Sequence, residues 1–265
     1  ANIRCQGGNP KVLINDDNVI SGSGRLGQGS LVLVNRKQIV ANRSMERLVI
    51  HPGGGSNFFP GEFTNDELAK LSSRGGGILE LHVGKFNFAA TSSIEAGDNS
   101  FVDIVNSTVQ GGLLRAIGSG RFRGAGNVRF TGPTGNPVTI DAQTPVDLHN
   151  GFDHVLEGEI VNSGLISLQA GDRTTRLFID GEASLSGEGG VIRLSSQLPT
   201  NPARLAPRGA DAVLLVGRTQ RVDGAGSIER GLTLNNQGTI AANMKDRTLM
   251  ISPTGGHRIV NDGGT

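Results

Sequence analysis

SGSGRLGQGSLVLVNRKQIVANRSMERLVIHP, residues 21–52, comes back near the other end of the chain as DGAGSIERGLTLNNQGTIAANMKDRTLMISP, residues 223–253. Both copies keep one order of parts: a Gly-x-Gly turn, an apolar strand, an Asn turn, an Ile strand ending in Ala-Asn, a polar turn, and an apolar triplet before Pro. Gly22 matches Gly224 and Gly24 matches Gly226, 202 residues on. After one deleted residue the spacing is 201, and Leu31, Leu33, Asn35, Ile39, Ala41, Asn42, Leu48, Ile50 and Pro52 match Leu232, Leu234, Asn236, Ile240, Ala242, Asn243, Leu249, Ile251 and Pro253. Self-similarity of this kind marks an array of repeats. The copies are long, so the array has a long module that starts near residue 19 and recurs from about 220.

A shorter period lies inside the long one. Phe63, Phe86 and Val109 are 23 residues apart, as are Leu71, Ile94 and Ile117, with Leu79/Val102 and Leu81/Ile104 in the same register. Three apolar sites in each such period read as three short strands per turn of chain. A unit of this size cannot bury its own apolar face and must stack on copies of itself. The expectation is an all-β parallel β-helix, a solenoid whose turns lie about 4.8 Å apart. Alternation in Leu31-Val32-Leu33, Leu48-Val49-Ile50 and Leu249-Met250-Ile251 puts one side of each strand inside and the other in solvent. Gly22, Gly24, Asn35, Asn42, Gly224, Gly226, Asn236 and Asn243 are expected at the corners, supplying left-handed backbone.

Other stretches fit less regularly. Thr64-Asn65-Asp66-Glu67 before Leu68 has the form of a helix capping box, but Leu71 in register with Ile94 favours a strand. Residues 196–211, with three prolines, read as a loop leaving the core. Residues 53–62 read as a Gly-rich excursion carrying Phe58 and Phe59. The segment Asn162-Ser-Gly-Leu-Ile166 aligns with Asn236-Gln-Gly-Thr-Ile240.

Composition agrees. Gly accounts for 41 of 265 residues, well above the usual share of about 7%. Trp and Tyr are absent, so a narrow core of small aliphatics is expected. A formal net charge of +1 implies neither nucleic acid nor an anionic membrane as partner. No run approaches the roughly 18 apolar residues of a membrane span. Cys5 is the single cysteine, which excludes a disulfide framework. The chain has no initiator Met and stops inside a repeat, so a segment of a longer protein is expected.

Candidate chemistry is sparse. Gly22-Ser-Gly24-Arg-Leu-Gly27 has a dinucleotide-binding spacing but feeds a strand where that chemistry needs a helix. His149 and His154 with the carboxylates Asp147, Asp153, Glu157 and Glu159 form the densest polar cluster; His149, His154 and Asp153 are its candidates for a metal, with a solvated face as the bland reading, and no cofactor is expected. Arg115, Arg121, Arg123 and Arg129 gather positive charge that could meet a polyanion or line a solvated rim.

The pattern of LTLNNQGTIAANMKDRTLMISP, and more loosely GSLVLVNRKQIVANRSMERLVIHP, resembles the degenerate repeats of right-handed β-helical bacterial surface proteins: autotransporter passengers and filamentous-haemagglutinin-like adhesins. That resemblance implies a non-enzymatic extracellular rod at a cell surface or in a secreted filament, whose partners are neighbouring repeats, further copies of itself or host glycans. The alternative is a β-helical polysaccharide-binding or -cleaving protein, lyase-like or tailspike-like, with a carboxylate groove over 141–159 that includes Asp147, Asp153 and Glu157.

Overall fold

The computed structural model describes residues 2–3, 11–28, 31–53, 62–252 and 258–265. The Phe58/Phe59 excursion and Cys5 lie outside the described residues. The fold is an all-β parallel β-solenoid of about 10 turns with rungs about 23 residues apart, and no helix occurs among the described residues. Two compact units divide the chain, Ala1–Val128 and Arg129–Thr265.

In the first unit the long strand Ile78–Phe88 sets the register. Its first half lies on Arg47–Ile50 and its second half on Glu62–Asn65. The next turn, Phe101–Gln110, covers it from Ile78↔Phe101 to Asn87↔Gln110. Like side chains therefore stand above one another inside the coil. Leu48, Leu79, Val102 and Phe122 form one column, Ile50, Leu81 and Ile104 a second, and Ile39, Leu71, Ile94 and Leu114 a third. Phe63, Phe86 and Val109 make the fourth, with the two phenyl centroids 5.5 Å apart. All of these positions are buried, and each large aliphatic contributes about 1.5–3 kcal/mol by leaving water.

The regular spacing fails at one expected member. Ile94 pairs with Leu114, and Ile117 is exposed. The turn from Ser93 to its partner Leu113 is shorter than the preceding one, from Lys70 to Ser93. Gly111 and Gly112, both at positive φ, close that corner tightly enough to shorten the circuit; a Cβ on Gly112 would come within 2.4 Å of Phe88 Cβ. The capping-box segment is also a corner: strands Glu62–Asn65 and Lys70–Ser73 flank it, Leu68 has φ 59°, and Ala69 N–H donates to Asp66 O.

The second unit repeats the construction. Phe130, Leu156 and Ile179 stack in one column, Val138, Ile160, Leu185 and Val216 in another, and Val146, Ile166, Ile192 and Val222 in a third. The proline-rich stretch expected to leave the core does not do so throughout. Strand Ala203–Pro207 lies on Thr175–Ile179 and buries Ala203 and Leu205 completely. Pro207 is its last residue, where the missing N–H costs the ladder least, and Arg208 N–H makes the next bond to Ile179 O. Turn length is variable across the chain: Arg221 meets its partner already at Thr239, whereas Gln38 does not meet its own until Lys70.

The long repeat is a repeat of register. Gly24↔Leu48 and Leu26↔Ile50 in the first copy correspond to Gly226↔Leu249 and Ile228↔Ile251 in the second, and Ile20↔Ile39 corresponds to Val222↔Ile240. Gly22 and Gly24 have φ 122° and 125°, and Gly224 and Gly226 have 111° and 156°. The left-handed residues of the polar turn are Met45 (62°) and Asp246 (57°), which occupy equivalent places in the two copies, and not Asn42 and Asn243 as expected. Asn35 and Asn236 also differ from expectation. Neither has positive φ; both are buried and point inward.

Those inward asparagines form ladders. Asn15 Nδ2 donates to Asn35 Oδ1 at 2.7 Å, Asn35 Nδ2 to Asn65 Oδ1 at 2.7 Å, and Asn65 Nδ2 to Ala69 O at 2.8 Å. In the second unit Asn236 Nδ2 reaches Asn261 Oδ1 at 2.8 Å. Asn162 and Asn236 each also accept from the glycine two residues on, Gly164 and Gly238. A primary amide satisfies a buried corner with both a donor and an acceptor. Asn35→Ala should therefore leave Asn65 Oδ1 without its donor and Asn15 Nδ2 with only its longer bond to Gln38 O, and lower stability by about 2 kcal/mol. Urea denaturation reads this directly; an unchanged midpoint would show that the ladder contributes nothing.

Candidate functional site

Outward-facing residues of neighbouring turns also fall in register, and here the charges meet. In the first unit Glu80, Asp103 and Arg123 occupy one row. Arg123 holds Asp103 with two bonds, Nε–Oδ1 2.6 Å and Nη2–Oδ2 2.9 Å, while its guanidinium lies 3.9 Å above the Phe101 ring centroid. Arg47 bridges Glu80 and Asp103. Burial alone would lower the Arg47 pKa; its bond to Asp103 and the two carboxylate charges outweigh this and raise it. Beside this row Glu95 is gripped by Lys70 and Arg74.

In the second unit the corresponding device is Asp223, which is 1% exposed. Arg193 contacts it at 2.9 and 3.1 Å, Arg221 at 2.9 Å and Asn243 at 2.9 Å. Burial works to raise the Asp223 pKa, but the bonds from Arg193 and Arg221 more than offset it, and the carboxyl sits below its ordinary value. Asn243, expected as a corner residue, is a ligand of this carboxylate.

The residues singled out in the sequence do not converge. His154 faces inward in register with Leu177 and is fully buried, whereas Asp153 next to it faces outward and pairs with Arg176 at 3.1 Å. Strand alternation thus separates the imidazole from the carboxylate. No set of three metal-binding side chains occurs among the described residues. Asp147 accepts from Gln169 at 3.0 Å, and Glu157 is held by Arg129 at 2.6 Å, so Asp147, Asp153 and Glu157 each have a separate partner. Of the four arginines, Arg123 is bound to Asp103, and Arg129 is bound to Glu157 and Asp180. Arg121 and Arg123 do share one side of their strand, as alternation requires.

A cavity of about 400 Å³ opens in the second unit, bordered by Pro202, Arg204, Ser227, Glu229, Arg230 and Met250. Its one carboxylate, Glu229, is ion-paired to Arg204, whose Nε is buried and makes no hydrogen bond.

A feature the sequence reading missed is a histidine pair in the first unit. Because Leu81 pairs with Ile50, the residues that follow, His82 and His51, lie side by side with ring centroids 4.9 Å apart. The signal was present: Arg47-Leu-Val-Ile-His51 and Ile78-Leu-Glu-Leu-His82 are two turns of one pattern. It becomes visible only once a turn well longer than the common period is allowed.

Protein-family models, curated proteins and solved structures offer no match to this chain.

Proposed function

We propose that this chain is a structural and adhesive repeat module of an extracellular bacterial surface or filament protein, acting as a spacer and as an association surface. The observation that carries the reading is the recurrence of strand register and of glycine conformation between the two copies of the long repeat. A chain that rebuilds the same turn so far along its length is organised for iteration, and iteration serves reach and multivalent contact. The outer surface supports it. Two of its buried carboxylates, Asp103 and Asp223, are each bound by two arginines, an arrangement that ties neighbouring strands of the coil together. No helix among the described residues is long and apolar enough to cross a membrane.

Small-angle X-ray scattering of the purified chain tests the reading: a rod-like pair-distance distribution is expected, and a compact one would end it. A glycan-array screen separates this function from the polysaccharide-active alternative. Cleavage of any glycan that is abolished by joint substitution of Asp147, Asp153 and Glu157 would favour the alternative.

A further inference from the structure

The His51–His82 pair lies outside every ladder described above and has the features of a ligand set. His82 Nδ1 is 2.8 Å from Glu80 Oε1. In a neutral imidazole a carboxylate at that distance favours the tautomer with the proton on Nδ1 and the lone pair on Nε2, and it fixes the ring; this is the carboxylate–histidine arrangement that supports metal ligands. His51 Nδ1 is shielded from solvent and makes no hydrogen bond. A buried imidazole nitrogen without a partner normally costs stability, so a group that satisfies it would be bound with gain. The ring spacing fits an ion: with a metal–nitrogen distance of about 2.0–2.1 Å, two imidazoles on one tetrahedral centre have centroids about 5 Å apart. The observed pair stands at 4.9 Å with 74° between the planes.

We propose that His51 and His82 form a two-imidazole site for a divalent transition-metal ion of the zinc class, with Glu80 orienting His82 and water completing the coordination. Imidazole nitrogen is a donor that such ions accept readily. Burial first, then the neighbouring His82 and the charge of Arg25, lower the His51 pKa, with Glu80 opposing. Arg25 disfavours a cation and Glu80 favours it; Glu80 also contacts Arg47, which limits its net charge. The site is accordingly one of moderate affinity, suited to linking turns of the coil or tethering a metal-bridged partner.

Isothermal titration with zinc chloride on the full chain tests this, in a Cys5→Ser background that removes the one thiol. One zinc ion per chain is expected. His51→Ala and His82→Ala should each weaken binding at least tenfold, and Glu80→Gln, which keeps both imidazoles, about tenfold. The imidazole carbon-bound proton resonances in NMR supply a second reading: those of His51 and His82 should shift on zinc addition while those of His149 and His154 stay. Absence of zinc binding, binding unchanged in both histidine variants, or shifts confined to the other histidines would each overturn the proposal.

Discussion

Gly158→Ala is expected to abolish cooperative folding of the second unit, or to lower its stability by more than about 4 kcal/mol. Gly158 and Gly132 pair directly across adjacent turns. Gly158 has φ +73°, and a Cβ there would lie 2.1 Å from Gly132 O, an atom of the backbone that no rotamer change can move away. The reverse substitution is as severe, because a Cβ on Gly132 would fall 1.8 Å from Glu159 O. Register with Val128–Gly132 runs unbroken to this pair, whereas on the other side strand Asp153–Asn162 slips register against Thr175–Ser186 between Leu156 and Gly158. Gly181→Ala is the control. It also has positive φ, 63°, but nothing lies within 4 Å of its would-be Cβ, so it should cost only the conformational strain of about 1–2 kcal/mol. Thermal melts of the two variants separate close approach from strain; equal losses would show that the contact has no special cost.

Acidification from pH 7 to pH 4 is expected to remove about 3 kcal/mol through His154 alone. Its imidazole is fully buried, neither ring nitrogen makes a hydrogen bond of good geometry, and the pKa falls from 6.5 to about 4. Burial is the main cause. The His149 backbone and the Asp153 charge act the other way without restoring it, and the His149 side chain adds slightly to the lowering. The unfolded chain takes up a proton near 6.5 while the folded one does so only near 4, so stability is complete above the first value and is lost as the pH drops through that window. Asp223, also lowered, loses its contribution at more acid pH. His154→Leu should flatten the stability profile across the same window. It should also stabilise the protein at pH 7 by about 1 kcal/mol, because Leu177 sits in register with this position and an apolar group there needs no partner. A profile in urea midpoints that is identical for both proteins would rule the assignment out.

The architecture was legible because interior columns print themselves on the sequence. Phe63, Phe86 and Val109 recur at a fixed spacing for the same reason that they touch: each circuit returns the chain to one wall. Ile117 misled because the rule is geometric and not numerical; a corner closed by Gly111–Gly112 shortens the circuit and hands the place to Leu114. The prolines of 196–211 misled because two of the ring nitrogens, at 202 and 207, fall at the ends of a strand rather than within it. Asparagine was read as a corner residue on conformational grounds, whereas Asn35 and Asn236 are kept by hydrogen bonds from turn to turn, which no local pattern reveals. The histidine pair and the carboxylates caged by arginine were hidden for that same reason. Partners that lie 20 to 33 residues away, such as Arg123 for Asp103, Arg193 for Asp223 or Arg47 for Glu80, become neighbours only when every intervening turn length is known.

Those unequal turn lengths bear on descent. A coil that closes one circuit quickly, from Arg221 to Thr239, and another slowly, from Gln38 to Lys70, while keeping its columns aligned tolerates gain and loss of residues at its corners. Lineages carrying such a module can drift in length, and so lose recognisable kinship residue by residue, while the interior wall is inherited intact.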